Sequence, residues 1–210
     1  MKEKFTTKVL VEIALFAAIS FALDLLASGL SRFLFVNGGS FSIAMLPIFI
    51  LAYRRGFTPA LICGITVSLL QTIGGVYIVA GNWYYALAQV MLDYILTYPM
   101  VALAGIFARS FQKTDKKNKK YLLIILGCIV GGLGKYLCHV LSGVIFWSSS
   151  IAWSSFEGMP FVYSLVYNGA FCLPNIVICV IIMVFIYKLQ PQLIENNLTT
   201  TESDYYEQEE

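Results

Sequence analysis

Long stretches with almost no charged residue set the first constraint on this chain. Of its 210 residues 59% are hydrophobic and 12% charged, whereas a soluble domain carries about 25% charged residues. Six of the twelve acids (Glu195, Glu202, Asp204, Glu207, Glu209 and Glu210) fall at the C-terminal end. Most bases sit in short clusters between apolar runs. About 20 apolar residues cross a bilayer core. Runs at 9–27, 40–53, 59–80, 86–108, 121–147 and 161–187 predict an all-α integral membrane protein of six transmembrane helices. The second run is too short to span alone and reads as a tilted or partial helix. Pro174 is placed to kink the sixth. The expected organisation is one membrane domain over residues 1–190 and a disordered acidic tail over 191–210. The N-terminal run is long and lacks an A-x-A-like cleavage site, so it reads as a retained first helix.

The bases give an orientation. Lys2, Lys4 and Lys8 precede the first helix. Arg54 and Arg55 separate the second and third. Arg109, Lys113, Lys116, Lys117, Lys119 and Lys120 separate the fourth and fifth, and Lys188 follows the sixth. All of these lie on one side of a six-span chain. The other side has Arg32, and Lys135 falls inside a helix. The positive-inside rule then places both termini in the cytoplasm and the chain in the cell membrane, with the bilayer as its solvent. The outer side is rich in aromatic residues instead, among them Trp83, Tyr84, Tyr85, Trp147, Trp153, Tyr163 and Tyr167. An interfacial belt accounts for such residues one at a time; their concentration on one face is less usual.

Ionisable groups at membrane depth cost roughly 2.5–3.5 kcal/mol each on insertion scales, so they need a reason. Asp24, Asp93, Lys135 and His139 are such groups. Asp93 and His139 fall roughly 10–12 Å below the outer surface at ~1.5 Å per residue, a shared depth that suits one outward cavity. Lys135, His139, Gly143 and Trp147 recur every fourth residue on one stripe. Tyr163, Tyr167 and Asn168 sit at the matching level of the sixth helix. A structural reading pairs Lys135 with Asp93 as a buried ion pair and makes His139 a hydrogen-bonded core residue. A functional reading puts a carboxylate, an imidazole, an amide and aromatic faces around a flat, cationic, hydrogen-bonding solute. Trp83, just before the fourth helix, is a candidate aromatic wall, and Lys135 a candidate further contact. Ala14 and Ala18 form a small-xxx-small pair suited to close helix approach.

Several segments resemble a known family. Gly-Lys-Tyr-Leu-Cys-His-Val-Leu-Ser-Gly-Val-Ile-Phe-Trp at 134–147 and Tyr-Ser-Leu-Val-Tyr-Asn-Gly at 163–169 are similar to motifs of the ThiT-type thiamine transporters. Those proteins are the substrate-binding S components of energy-coupling-factor (ECF) transporters. Ala-Gln-Val-Met-Leu-Asp-Tyr at 88–94, Glu-Ile-Ala-Leu-Phe-Ala-Ala at 12–18 and Leu-Ala-Tyr-Arg-Arg-Gly at 51–56 extend the resemblance. It implies the six-helix S-component fold and an outward-facing thiamine pocket. Asp93 and Tyr94 match the fourth-helix acid and its neighbouring tyrosine. His139 and Gly143 match the fifth-helix pair, Trp147 the tryptophan that stacks on the ligand, and Tyr163 and Asn168 the pyrimidine contacts. Ala14 and Ala18 match the motif that docks on a shared transmembrane coupling subunit, which works with two ATPases. Some relatives carry glutamate at the Asp93 position. Relatives place a tryptophan in the first outer loop; residues 28–39 have none, and Gly38, Gly39 and Ser40 are left to shape it.

Other readings predict different features. An S component for riboflavin or biotin shares the fold. A standalone transporter needs repeats and an ion-coupling site. An intramembrane enzyme needs paired acids, a metal set or a nucleophile beside a base, and one histidine does not supply these. No Walker A motif is present, so any ATP-driven step needs a partner. The five cysteines all fall in apolar runs without metal spacing. The expectation includes no enzyme activity, cofactor, metal or nucleic-acid partner.

Overall fold

The computed structural model describes residues 6–31, 33–35, 38–79, 81–148, 151 and 153–195. Among them six helical segments follow one another: α1 (Thr7–Ser31), α2 (Leu46–Arg55), α3 (Phe57–Ile73), α4 (Trp83–Lys113), α5 (Lys117–Phe146) and α6 (Pro160–Leu189). Helices α1, α4, α5 and α6 are long and apolar enough to cross a membrane; α2 and α3 are shorter. No strand occurs among the described residues. The cavity-bearing residues lie in the C-terminal halves of α1 and α5 and the N-terminal half of α6. They therefore occupy the end of the bundle away from Thr7 and Leu189.

The second helix starts later than the predicted residue 40. Residues 40–45 are tied down as non-helical backbone. Asn175 of α6 accepts from the Ser42 N–H at 2.9 Å and donates to the Ser40 carbonyl at 2.8 Å, and Ser20 Oγ donates to the Ala44 carbonyl at 2.7 Å. At membrane depth such backbone survives only where protein groups satisfy it. Pro47 then sits in the first turn of α2, where a missing N–H costs nothing. Ile48, Phe49, Leu51, Ala52 and Tyr53 have 0% exposure. This short helix therefore meets protein and not lipid, which is why it need not span.

The third helix stops at Ile73, not at the predicted residue 80. Gly74 caps it, and Gly75 has φ +114°, outside the right-handed helical region. Residues 75–79 then run without helix or strand as a strap toward α4. Asn82 caps α4 by accepting from the Tyr85 N–H at 3.1 Å. Helix α4 is not uniform. Met91–Ile95 forms a π turn, closed by the Leu96 N–H on the Met91 carbonyl at 2.9 Å, and Ala102–Phe107 tightens to 3-10 geometry. Helix α6 begins at Pro160 and continues through Pro174 to Leu189.

Without water to expel, helices in lipid associate by close packing and hydrogen bonding. Gly127 and Gly131, one turn apart on α5, show how. A Cβ on Gly127 would overlap the Tyr53 hydroxyl, and one on Gly131 the Val101 carbonyl. Near the terminal end, Glu12 of α1 takes Arg55 at 2.6 Å and Arg54 at 3.2 Å. The chain stays attached beyond the expected boundary at residue 190. Gln112 donates to the Tyr53 and Ile194 carbonyls at 2.8 Å, Ile194 has 0% exposure, and Lys120 pairs with Glu195 at 2.5 Å. Residues 191–195 therefore pack on this end of the bundle. The rest of the predicted acidic tail, 196–210, lies outside the described residues.

Candidate functional site

A cavity of about 630 Å³ opens at the end of the bundle away from Thr7 and Leu189. Small-molecule pockets usually measure about 300–1,000 Å³. Its walls come from α1, the 38–45 segment, the strap, and helices α4, α5 and α6.

One wall is built on the π turn of α4. Wider turns of this kind recur at functional sites, and here the turn supplies both Asp93 and Tyr94 to the cavity. Asp93 Oδ2 accepts from the Trp147 indole N–H at 3.1 Å, and Asp93 Oδ1 lies 3.6 Å from His139 Nδ1. Trp147 stands at the C-cap of α5, with His139 two turns below on the same helix. The Trp147 ring also stacks on Tyr77 of the strap, with centroids 5.5 Å apart and planes 19° from parallel. Asp93 is half-buried and keeps further lone pairs for a donor on a solute.

Another wall is aromatic. Tyr163, Tyr167, Phe171 and Phe35 form one buried cluster. Tyr163 and Tyr167 have centroids 5.3 Å apart, and the Tyr167 hydroxyl donates to the Gly38 carbonyl at 3.1 Å. Gly39, with φ +111°, has no Cβ that would run into the Phe171 ring. Gly38 and Gly39 thus bring this segment close against α6. Asn168 sits behind this wall. Its amide nitrogen donates to the Ser164 carbonyl at 2.9 Å, to Ser164 Oγ at 3.1 Å and to the His139 carbonyl at 3.3 Å. That leaves its carbonyl oxygen as the end suited to a solute donor.

A second polar group lies along α1 and α3. Asp24 accepts from the Tyr98 hydroxyl at 2.6 Å and from the Gln71 amide. Lys135 Nζ sits 3.7 Å from the centroid of the Tyr98 ring. Lys135 is therefore placed for a cation–π contact with Tyr98, whose hydroxyl is bonded to Asp24. The buried Lys135–Asp93 ion pair of the structural reading does not form: Asp93 faces His139 and Trp147 instead.

The profile of the thiamine transporter protein family (Thia_YuaJ) matches residues 10–195. The chain belongs to the thiamine transporter family. It is 32% identical over 194 residues to the thiamine transporter ThiT of Bacillus subtilis, covering 90% of this chain and 94% of that protein. It is 30% identical over 192 residues to ThiT of Lacticaseibacillus paracasei, covering 88% and 89%. A solved structure of ThiT from Listeria monocytogenes superimposes with a TM-score of 0.72 at 28% identity, covering 89% of this chain and 97% of that one.

In this family member Asp93, Tyr94, Lys135, His139, Gly143, Trp147, Tyr163 and Asn168 all line the one cavity. Trp83 does not. It is 78% exposed and meets Tyr84 edge to face, because the first turn of α4 points it away from the bundle. Gly143 has a different neighbour from the expected solute: a Cβ there would overlap Ser164 Oγ, so the glycine first serves the α5–α6 contact. Sequence reading missed Tyr77, Gln71, Tyr98, Asn175, Phe35 and Phe171. For Tyr77 the signal was the Gly74-Gly75 pair that ends α3. For the others, no local signal separates them from ordinary membrane-helix residues.

Proposed function

We propose that this family member is the S component of an ECF-type importer, a non-catalytic subunit that captures thiamine outside the cell. The observation that carries the reading is that Asp93, Trp147, His139, Tyr163 and Asn168 all line one cavity of ligand size, with Asp93 against both Trp147 and His139. Thiamine joins an aminopyrimidine to a cationic thiazolium. Asp93 accepts from the exocyclic amine, and the Asn168 carbonyl oxygen takes a second donor. Trp147 offers its face to the cation, worth about 0.5–2 kcal/mol, and Tyr163 lies against the pyrimidine. Tyr94, Lys135 and the Gly143 backbone complete the walls.

In this reading the cavity faces outward, both termini are cytoplasmic, and the protein resides in the plasma membrane. The one-sided distribution of lysine and arginine supports that orientation. Ala14 and Ala18 lie exposed on α1 beside exposed Leu10, Val11 and Leu15, a surface on which a transmembrane coupling subunit docks closely. That subunit and two ATPases supply the energy.

The test is tryptophan fluorescence of the detergent-purified protein titrated with thiamine. Saturable quenching at submicromolar ligand, lost in Trp147→Phe and weakened in His139→Ala, is the expected result. A response to riboflavin or biotin but not thiamine would discard the substrate and keep the subunit class. Uptake in cells lacking any coupling ATPase would refute the ECF assignment.

A further inference from the structure

Gln89 has 0% exposure, yet it does not line the cavity. Its side-chain amide is spent on the strap. Oε1 accepts from the Val79 N–H at 3.0 Å, and Nε2 donates to the Tyr77 carbonyl at 3.1 Å. The Tyr77 N–H goes to the Tyr94 hydroxyl at 2.9 Å. Two side chains of α4 thus satisfy three backbone polar groups of a segment that has no strand partner among the described residues. The bidentate amide reproduces what a neighbouring strand would offer, and it fixes where Tyr77 stands.

Tyr77 in turn stands against Trp147, stacked at 5.5 Å, while the Trp147 indole N–H is held by Asp93. Tyr77 is 66% exposed, so burial alone does not hold it there. We propose that Gln89 is a positioning residue: it clamps the strap so that Tyr77 braces Trp147 before any solute arrives. The inference deepens the thiamine reading and rests on it for the ligand. Binding sites gain affinity when their rotamers are fixed in advance, because less freedom is lost on binding. Gln89 therefore acts on affinity through Tyr77, without touching the solute.

The experiment uses the full chain with Trp83→Phe and Trp153→Phe, which leaves Trp147 as the sole tryptophan. Time-resolved anisotropy of Trp147 is read without ligand, and thiamine affinity and dissociation rate by quenching. Gln89→Leu is expected to widen the motion of Trp147 and to raise Kd about five- to tenfold, mostly through faster dissociation. Tyr77→Ala should reproduce both effects, and the double variant Gln89→Leu/Tyr77→Ala should lose no more than Tyr77→Ala alone. Additive losses, or an unchanged Trp147 anisotropy in Gln89→Leu, would overturn the clamp. If Gln89→Leu does not fold, Tyr77→Ala decides: Trp147 anisotropy equal to the parent's refutes the brace. Failure of the parent protein to bind thiamine would sink the substrate while the anisotropy still tests the clamp.

Discussion

Replacing Gly143 with alanine tests whether α5 and α6 are as tightly apposed as they look. The added Cβ would overlap Ser164 Oγ and come within 3.2 Å of Asn168 Nδ2. Both neighbours sit on α6, and Ser164 Oγ is itself committed to the Val140 carbonyl at 2.8 Å. The hydroxyl cannot rotate away without giving up that bond. Overpacking of this kind costs about 1–3 kcal/mol. Ser164→Ala alone loses two buried hydrogen bonds, to the Val140 carbonyl and from Asn168 Nδ2, at about 0.5–1.5 kcal/mol each. In the double variant the new methyl occupies the space the hydroxyl leaves. The two losses should then fall short of their sum by about 1 kcal/mol or more. Thermal unfolding in detergent reads this as a midpoint lowered on the order of 2–4 °C per kcal/mol. Because Asn168 is displaced too, Gly143→Ala should also weaken thiamine binding about tenfold or more, equivalent to about 1.4 kcal/mol. A Gly143→Ala protein with unchanged midpoint and affinity would refute the reasoning. So would a Ser164→Ala background that relieves nothing.

Asp93→Asn, which removes the charge while keeping an oxygen for the Trp147 indole, should weaken thiamine binding more than about tenfold at unchanged expression, measured by fluorescence titration. Ala14→Trp with Ala18→Trp should abolish uptake in cells and leave binding by the purified protein intact; equal loss of both would show that this face serves folding only. Asn175→Leu strands the Ser42 N–H and the Ser40 carbonyl inside the protein. At about 1–3 kcal/mol for each unsatisfied group it should lower the unfolding midpoint more than Gly143→Ala does.

The helix count and the location of the polar groups were legible because both follow from one-dimensional rules. A charge placed inside an apolar run must find a cavity or a partner, so Asp24, Asp93, Lys135 and His139 all marked the site's neighbourhood. Their pairing was not legible. Lys135 sits over Tyr98, whereas Asp93 meets Trp147, and nothing in their spacing selects between partners. Residues 74–80 are apolar and read as more of α3, although Gly74-Gly75 is a break that periodicity ignores. The 40–45 segment was misread as helix because what unwinds it is Asn175, more than 130 positions away. The π turn that turns both Asp93 and Tyr94 into the cavity has no sequence mark in a helix of this composition.

The 0% exposed stretch of α2 has a consequence for the membrane as an electrical insulator. A cavity lined by carboxylates, an ammonium and an imidazole reaches well into the bundle, and a polar recess of that depth invites water and ions. Beneath it the path is blocked by Ile48, Phe49, Leu51 and Tyr53, with Ile124 and Met183 beside them, none exposed. Side chains packed at this density oppose the passage of protons or cations. A cell could therefore carry many copies of this protein without discharging its ion gradients. The same density means that nothing seated in the recess reaches the far side by sliding through the bundle.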